Sequence, residues 1–133
     1  MSNVQLVRDW YAAMARGDAA AALGVMDPNI EWREAEGNPY QPTGEPWYGP
    51  DAVVKNLLLR LATEWDGFAV DPRQFHDAGP VIVVEGRYTG TYKDTGKSLD
   101  CQVCHVWKVR DGRLASFQQF VDTGQLQDVA GAR

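Results

Sequence analysis

The 133-residue chain has only two cysteines and two histidines, and both scarcities exclude chemistry. Cys101 and Cys104 lie on one strand-like segment, so they point to opposite faces, roughly 10 Å apart along the chain. That is beyond disulfide reach, and two thiols with no second pair cannot close a zinc site. His76 and His105 fall on separate elements, so no set of three converging metal ligands can be assembled, and no metal or other cofactor is expected. Basic residues are few and scattered. Thirteen Lys and Arg against eighteen Asp and Glu leave a net charge of −5, which argues against nucleic acid or an anionic membrane surface as partner. No apolar run approaches the roughly 18 residues of a membrane-spanning helix. The opening MSNVQLVRDW lacks the apolar core of a signal peptide, so a cytoplasmic protein is expected. Gly-rich phosphate loops and nucleophile elbows are missing too.

What is plentiful is aromatic: five Trp, five Tyr and four Phe, side chains that fill cores and also wall pockets for flat organic ligands. The length fits one domain over residues 1–133. Val4, Val7, Tyr11 and Met14 recur at helical spacing with Trp10 beside them, and Gly17 stops that helix. Asp18 is a fitting N-cap for a second helix over Ala19 to Met26, ended by Asp27-Pro28. Ile30 to Glu34 reads as a short strand. Glu36 to Gly49 is rich in Pro and Gly and reads as a loop, yet it carries Tyr40, Trp47 and Tyr48. Those aromatics either cover a pocket mouth or pack on the core rim. Pro50 opens a third helix with an apolar stripe of Val54, Leu57, Leu58, Leu61 and Trp65. Strand patterns follow at Phe68–Phe75 and Val81–Tyr92, with a turn at residues 76–80. Helices first and antiparallel strands after predict an α+β domain with helices packed on one sheet face.

The final stretch, LDCQVCHVWKVRDGRLASFQQFVD over Leu99–Asp122, carries the most chemistry. Asp111-Gly112 between two β-rich segments is a strong hairpin signal. A two-residue loop with unbroken pairing sets Val109 opposite Leu114, Trp107 opposite Ser116, His105 opposite Gln118, Val103 opposite Phe120 and Cys101 opposite Asp122. Opposed residues share a face, so an apolar surface receives one histidine, one carboxylate and one amide, the composition of a ligand pocket. A Gly bulge would instead flip one strand. The second face then holds Cys104, Val106, Ala115, Phe117 and Val121, too apolar for a solvated surface, and predicts a homodimer through it.

With VRDWYAAMARGD, GPDAVVKNLL, VEGRYTGTY, HVWKVRDGRL and FVDTGQL in that order, the chain resembles the nuclear transport factor 2-like superfamily, in its SnoaL-like and ketosteroid isomerase-related branch, from Val4 to about Val129. The resemblance implies a cone: a strongly curved, mostly antiparallel sheet wrapped around three N-terminal helices, with an internal pocket and a dimer on the outer sheet face. It also implies that Asp122 matches a cavity carboxylate on the last strand and His105 a histidine on the strand before. The ketosteroid isomerase tyrosine of the first helix corresponds to Trp10, with Tyr11 adjacent, and its catalytic-base aspartate falls near Arg33 and Glu34. These departures argue against steroid isomerisation by that mechanism.

Two readings of Asp122 stand side by side: a cap for the turn through Thr123 and Gly124, or a general base whose pKa an apolar face raises. His105 is either a satisfied core histidine or a group that holds or protonates an oxyanion. In the unbroken register the two are roughly 13 Å apart, so one substrate would span them. The expected site is an apolar cavity with Asp122 and His105 as catalytic groups and Trp10, Tyr11, Trp32, Trp47, Tyr48, Trp107, Gln118 and Phe120 as substrate-binding residues. The expected function is cofactor-independent proton transfer (isomerase, cyclase or lyase) on a small apolar or aromatic carbonyl compound. The alternatives are a non-catalytic small-molecule-binding protein and a dimeric interaction scaffold.

Overall fold

The computed structural model describes residues 1–131. Helix α1 (Asn3–Ala15) is capped by Ser2, whose hydroxyl accepts the Gln5 N–H, and buries Leu6, Val7, Trp10, Tyr11 and Ala13 along one stripe. Asp18 caps α2 (Ala19–Gly24) by accepting the Ala21 N–H. The second helix ends two residues earlier than the sequence suggests, because Met26 opens strand β1 (Met26–Arg33). Asp27-Pro28 lies inside that strand, in the stretch between Met26 and Glu31 where its pairing is irregular. A missing proline N–H is tolerated at such an interruption.

Trp47–Tyr48 forms the two-residue edge strand β2. Helix α3 (Pro50–Val53) continues through one π-helical turn, Val54–Leu58, in which the Leu59 N–H reaches back to the Val54 carbonyl, into α4 (Leu59–Glu64). Trp65 belongs to no helix. It begins strand β3 (Trp65–Ala78), which takes in 76–78 of the expected turn, leaves Gly79-Pro80 as the turn itself, and pairs with β4 (Val81–Tyr92). Strands β5 (Ser98–Arg110) and β6 (Arg113–Val121) follow, and a helix absent from the sequence reading, α5 (Thr123–Val129), closes the described chain.

The six strands form one sheet in the order β2-β1-β6-β5-β4-β3, antiparallel except where β1 runs parallel to β6. The sheet curls around the helices without closing. Close backbone approach helps the curl: at Gly86 a Cβ would sit 2.4 Å from the Asp71 carbonyl oxygen.

The last hairpin has the expected two-residue loop, with Asp111 and Gly112 both in the left-handed region (φ 53° and 71°), the conformation a type I′ turn requires. The pairing is not unbroken. Val109 faces Leu114, but Lys108 faces Ser116, so Ala115 is an extra residue, and beyond it Trp107 faces Phe117 and His105 faces Gln119. One bulged residue moves every later side chain of β6 to the other face. The expected placement of Ser116, Gln118, Phe120 and Asp122 on the inner face is therefore corrected: Phe117 and Gln119 occupy it. Inside the curl the core falls into two clusters. One gathers α1 and α2 against Trp32, Trp107, Leu114 and Phe117. The other packs Leu126 and Val129 of α5 on Trp65, Tyr88, Leu99, Cys101 and Val103.

Candidate functional site

Between the two clusters lies a cavity of about 500 Å³, within the usual size range of small-molecule sites. Its walls are mostly apolar, with Trp10 and Met14 from α1, Leu57, Leu58 and Leu61 around the π-turn, Trp65 and Phe68 from β3 and Phe117 from β6. Three polar side chains join them: Glu34, Tyr88 and His105.

Glu34 follows directly on β1, and the strand's alternation puts Ile30, Trp32 and Glu34 inside, all buried. Its backbone N–H donates to Gln41 Oε1 at 3.0 Å, and Gln41 Nε2 donates to the Trp32 carbonyl at 3.1 Å. That exchange fixes the backbone and leaves the side chain free. Among the described residues neither carboxyl oxygen has a hydrogen-bond partner, nor do the buried indole nitrogens of Trp10 and Trp32, which line the same cavity. Burial pushes the Glu34 pKa up to about 8, and the nearby Trp32 indole N–H, outside hydrogen-bond geometry, pulls it the other way. Burial disfavours the charged form of a carboxyl group, so Glu34 is mainly protonated at neutral pH.

His105 forms the cavity's rear wall with both ring nitrogens taken. Nδ1 lies 2.5 Å from Tyr11 Oη and Nε2 2.6 Å from Tyr88 Oη. Trp107 Nε1 donates to Tyr11 Oη at 2.9 Å, and Gln119 Nε2 donates to Tyr88 Oη at 3.0 Å. Burial pushes the His105 pKa down to about 3, so the ring is neutral. Burial likewise raises the Tyr88 hydroxyl well above the usual tyrosine value, and charge on Glu34 would raise it further. Both groups stay uncharged across the ordinary pH range.

Of the residues expected from sequence, Trp10, Trp32 and His105 line the cavity, while Tyr11 and Trp107 support it from behind through the His105 network. The remaining five are elsewhere. Asp122 is exposed and caps α5, accepting the Gln125 N–H at 3.0 Å; the turn-capping reading describes its geometry. It borders an outer groove of about 730 Å³ with His76, Glu85, Gln102, Cys104 and Phe120. Phe120 is 55% exposed, and Gln118 lies on the same outer side, both carried there by the Ala115 bulge. Trp47 and Tyr48 pair with Trp32 and Glu31 at the sheet edge, outside the cavity. His105 and Asp122 therefore do not share a space that one ligand could span. The outer apolar patch expected for a dimer also changes: Phe117 is in the first core cluster, and Val121 packs against the second. Among the described residues no group of three or more His, Cys, Asp and Glu could hold a metal.

Tyr88 and Gln119 are site residues that sequence reasoning passed over, and Glu34 entered it only as a neighbour of the position the resemblance gives to a catalytic base. Glu34 was within reach, since period-2 alternation from Ile30 through Trp32 points it inward. Tyr88 follows in the same way from Ile82 and Val84 on β4.

A family model described as the SnoaL-like domain matches residues 7–117. An NTF2-like protein of Burkholderia thailandensis is 40% identical, with a TM-score of 0.91 and 97% of each chain covered. A second NTF2-like protein, from Burkholderia pseudomallei and of unknown function, is 28% identical with a TM-score of 0.86 over 98% of each chain. TerC, co-crystallised with polyporic acid, is 25% identical with a TM-score of 0.83, covering 97% of this chain and 98% of its own. No curated protein matches the chain.

Proposed function

This chain belongs to the SnoaL-like family, and we propose that it is a cofactor-independent proton-transfer enzyme, an isomerase, cyclase or lyase, for a small apolar or aromatic carbonyl compound. The observation that carries the reading is Glu34: a buried, unpartnered carboxyl on the wall of an apolar cavity of about 500 Å³. Natural proteins rarely leave such a group unsatisfied unless it has a task, and a carboxyl tuned to about 8 is matched to proton exchange near neutral pH. Co-crystallisation of TerC with polyporic acid supports a small organic molecule as occupant.

In this reading the ionised fraction of Glu34 takes a proton from the carbon beside the carbonyl, and the C–H electron pair moves to make an enolate. Donors on the same walls stabilise the developing oxyanion. Glu34, now protonated, returns the proton to another carbon or, where the enolate pair expels a β-substituent, gives the proton to that departing group. The apolar walls keep water from the enolate. His105 has no free nitrogen for the substrate and serves to position the two tyrosines.

The test needs no knowledge of the natural substrate. Deuterium wash-in at the α-carbon of 2-tetralone in D2O, followed by NMR, reports proton abstraction directly. The wild type should accelerate the exchange, with a rate that rises with pH and levels above about 8, and Glu34→Gln should abolish it. Exchange unchanged in Glu34→Gln contradicts the assignment. Binding of ketones without exchange would make the chain a binding protein.

A further inference from the structure

The hydrogen bonds behind the cavity hold one more proton than they have places for. Gln119 Oε1 accepts two donors, the Ala35 N–H at 3.2 Å and Asn38 Nδ2 at 2.8 Å. Its amide orientation is thereby fixed, so Nε2 faces Tyr88 and donates to Oη. At the far end the Trp107 indole, a donor only, gives its N–H to Tyr11 Oη. Both tyrosine oxygens are acceptors in these two bonds.

Between them sits His105, bonded to Tyr11 through Nδ1 and to Tyr88 through Nε2. A neutral imidazole has one ring proton. Together with the two hydroxyl protons that makes three protons for two bonds, so one hydroxyl proton is left over.

The two tautomers place it differently. With the ring proton on Nδ1, Tyr88 donates to Nε2 and the spare proton belongs to Tyr11. Tyr11 is buried with the rings of Trp10, Phe75, His105 and Trp107 around it. Among the described residues its hydroxyl bonds only Trp107 and His105, so the spare proton would be buried without an acceptor, which costs free energy. With the ring proton on Nε2, Tyr11 donates to Nδ1, His105 donates to Tyr88, and the spare proton belongs to Tyr88. Tyr88 is on the cavity wall together with Glu34 and the unpartnered indole N–H groups of Trp10 and Trp32.

We infer that His105 is held as its Nε2–H tautomer and that the Tyr88 hydroxyl, freed by that arrangement, donates to the oxygen of the cavity's ligand, a carbonyl, enol or phenol compound. The inference rests on the cavity being the ligand site. It makes Tyr88 the residue that selects for oxygen lone pairs, and His105 and Gln119 the residues that position it. With Glu34 protonated, the polar groups that remain to meet a ligand are an O–H donor, two N–H donors and a neutral carboxyl. Such a lining favours an enolate or phenolate over an amine.

The tautomer can be read on the wild-type protein without ligand. Long-range ¹H–¹⁵N NMR of histidine-labelled protein between pH 5 and 8 should show His105 protonated at Nε2 and bare at Nδ1. An Nδ1–H tautomer, or an imidazolium at pH 6, overturns the inference while leaving the cavity reading intact. The ligand half is tested with 4-nitrophenol, whose absorption reports its ionisation. The wild type should bind it and shift it toward the phenolate, and Tyr88→Phe should weaken binding by about tenfold to a hundredfold and lose that shift. Asp122→Asn should do neither. Equal binding by Tyr88→Phe overturns the role of Tyr88 alone. Failure of the wild type to bind any phenol or ketone at millimolar concentration overturns both the role and the cavity reading.

Discussion

Each face of the curled sheet has a hollow, and each hollow has an acid. The inner cavity of about 500 Å³ holds Glu34, and the outer groove of about 730 Å³ is bordered by Asp122. The larger hollow is the less interesting one chemically. Asp122 is exposed to water and spends an oxygen on the Gln125 N–H; Glu34 is 5% exposed and its carboxyl has no partner among the described residues. The two carboxyl groups thus sit in opposite surroundings, one solvated and engaged in a cap, the other desolvated and unpartnered. Pocket size says little about chemistry; desolvation and orphaned polar groups say much.

The largest effect that should separate the two sides is the pH dependence of stability. Glu34 holds its proton to about pH 8 when folded, against 4.5 for the ordinary group. Between those values the unfolded chain binds fewer protons, so stability falls as pH rises. His105 works in the opposite sense: 6.5 for the ordinary group and about 3 when folded, so stability falls as pH drops from 6.5 toward 3. The two slopes cancel between about 4.5 and 6.5, and urea unfolding should show a plateau there with losses of about 2 kcal/mol on each flank. Glu34→Gln should remove the alkaline flank and the plateau, so that the acid loss begins near 6.5 and reaches about 5 kcal/mol by pH 3. A single stability maximum near pH 8 would break the comparison.

Next in size is activity. Glu34→Gln should lower α-deuterium exchange by roughly a hundredfold to ten-thousandfold, whereas Asp122→Asn should leave it within about twofold; equal losses would mean that the cavity and the groove are not distinct. Behind the cavity, Gln119→Leu strips partners from Tyr88 Oη, Asn38 and the Ala35 N–H and should cost about 3 kcal/mol by thermal unfolding. The smallest effect is on the outside: Asp122→Ala removes only the cap of α5 and should cost about 1 kcal/mol.

Much of this architecture was legible in the sequence because local rules carry it. The Asp18 cap, the Asp111-Gly112 turn, the Pro50 start and alternation in Val81–Tyr92 each act over a few residues. The inner face of β5, with His105 and Trp107, followed from the same alternation. What was not legible is the Ala115 bulge. Leu114, Ser116, Gln118 and Phe120 form one alternating set and Ala115, Phe117, Gln119 and Val121 the other. Each set carries one glutamine and one phenylalanine, so composition cannot choose between them. The choice is made by β1, which pairs in parallel with β6 through Met26–Leu114 and Glu31–Ser116, a contact far away in sequence. Asp122 was drawn to the inner face by that one-residue error. Glu34 was underweighted for a different reason: the resemblance placed a catalytic base near Arg33 and Glu34, but the residue type did not match, and the strand's period that points Glu34 inward was not followed.

The central claim is that the cavity holds the Glu34 carboxyl in its acid form. ¹³C NMR titration of the glutamate side-chain carboxyls, with the Glu34 resonance identified by its disappearance in Glu34→Gln, measures this in the intact protein. A midpoint near 8 is expected. A midpoint near the ordinary 4.5 would place Glu34 in contact with water and contradict the account.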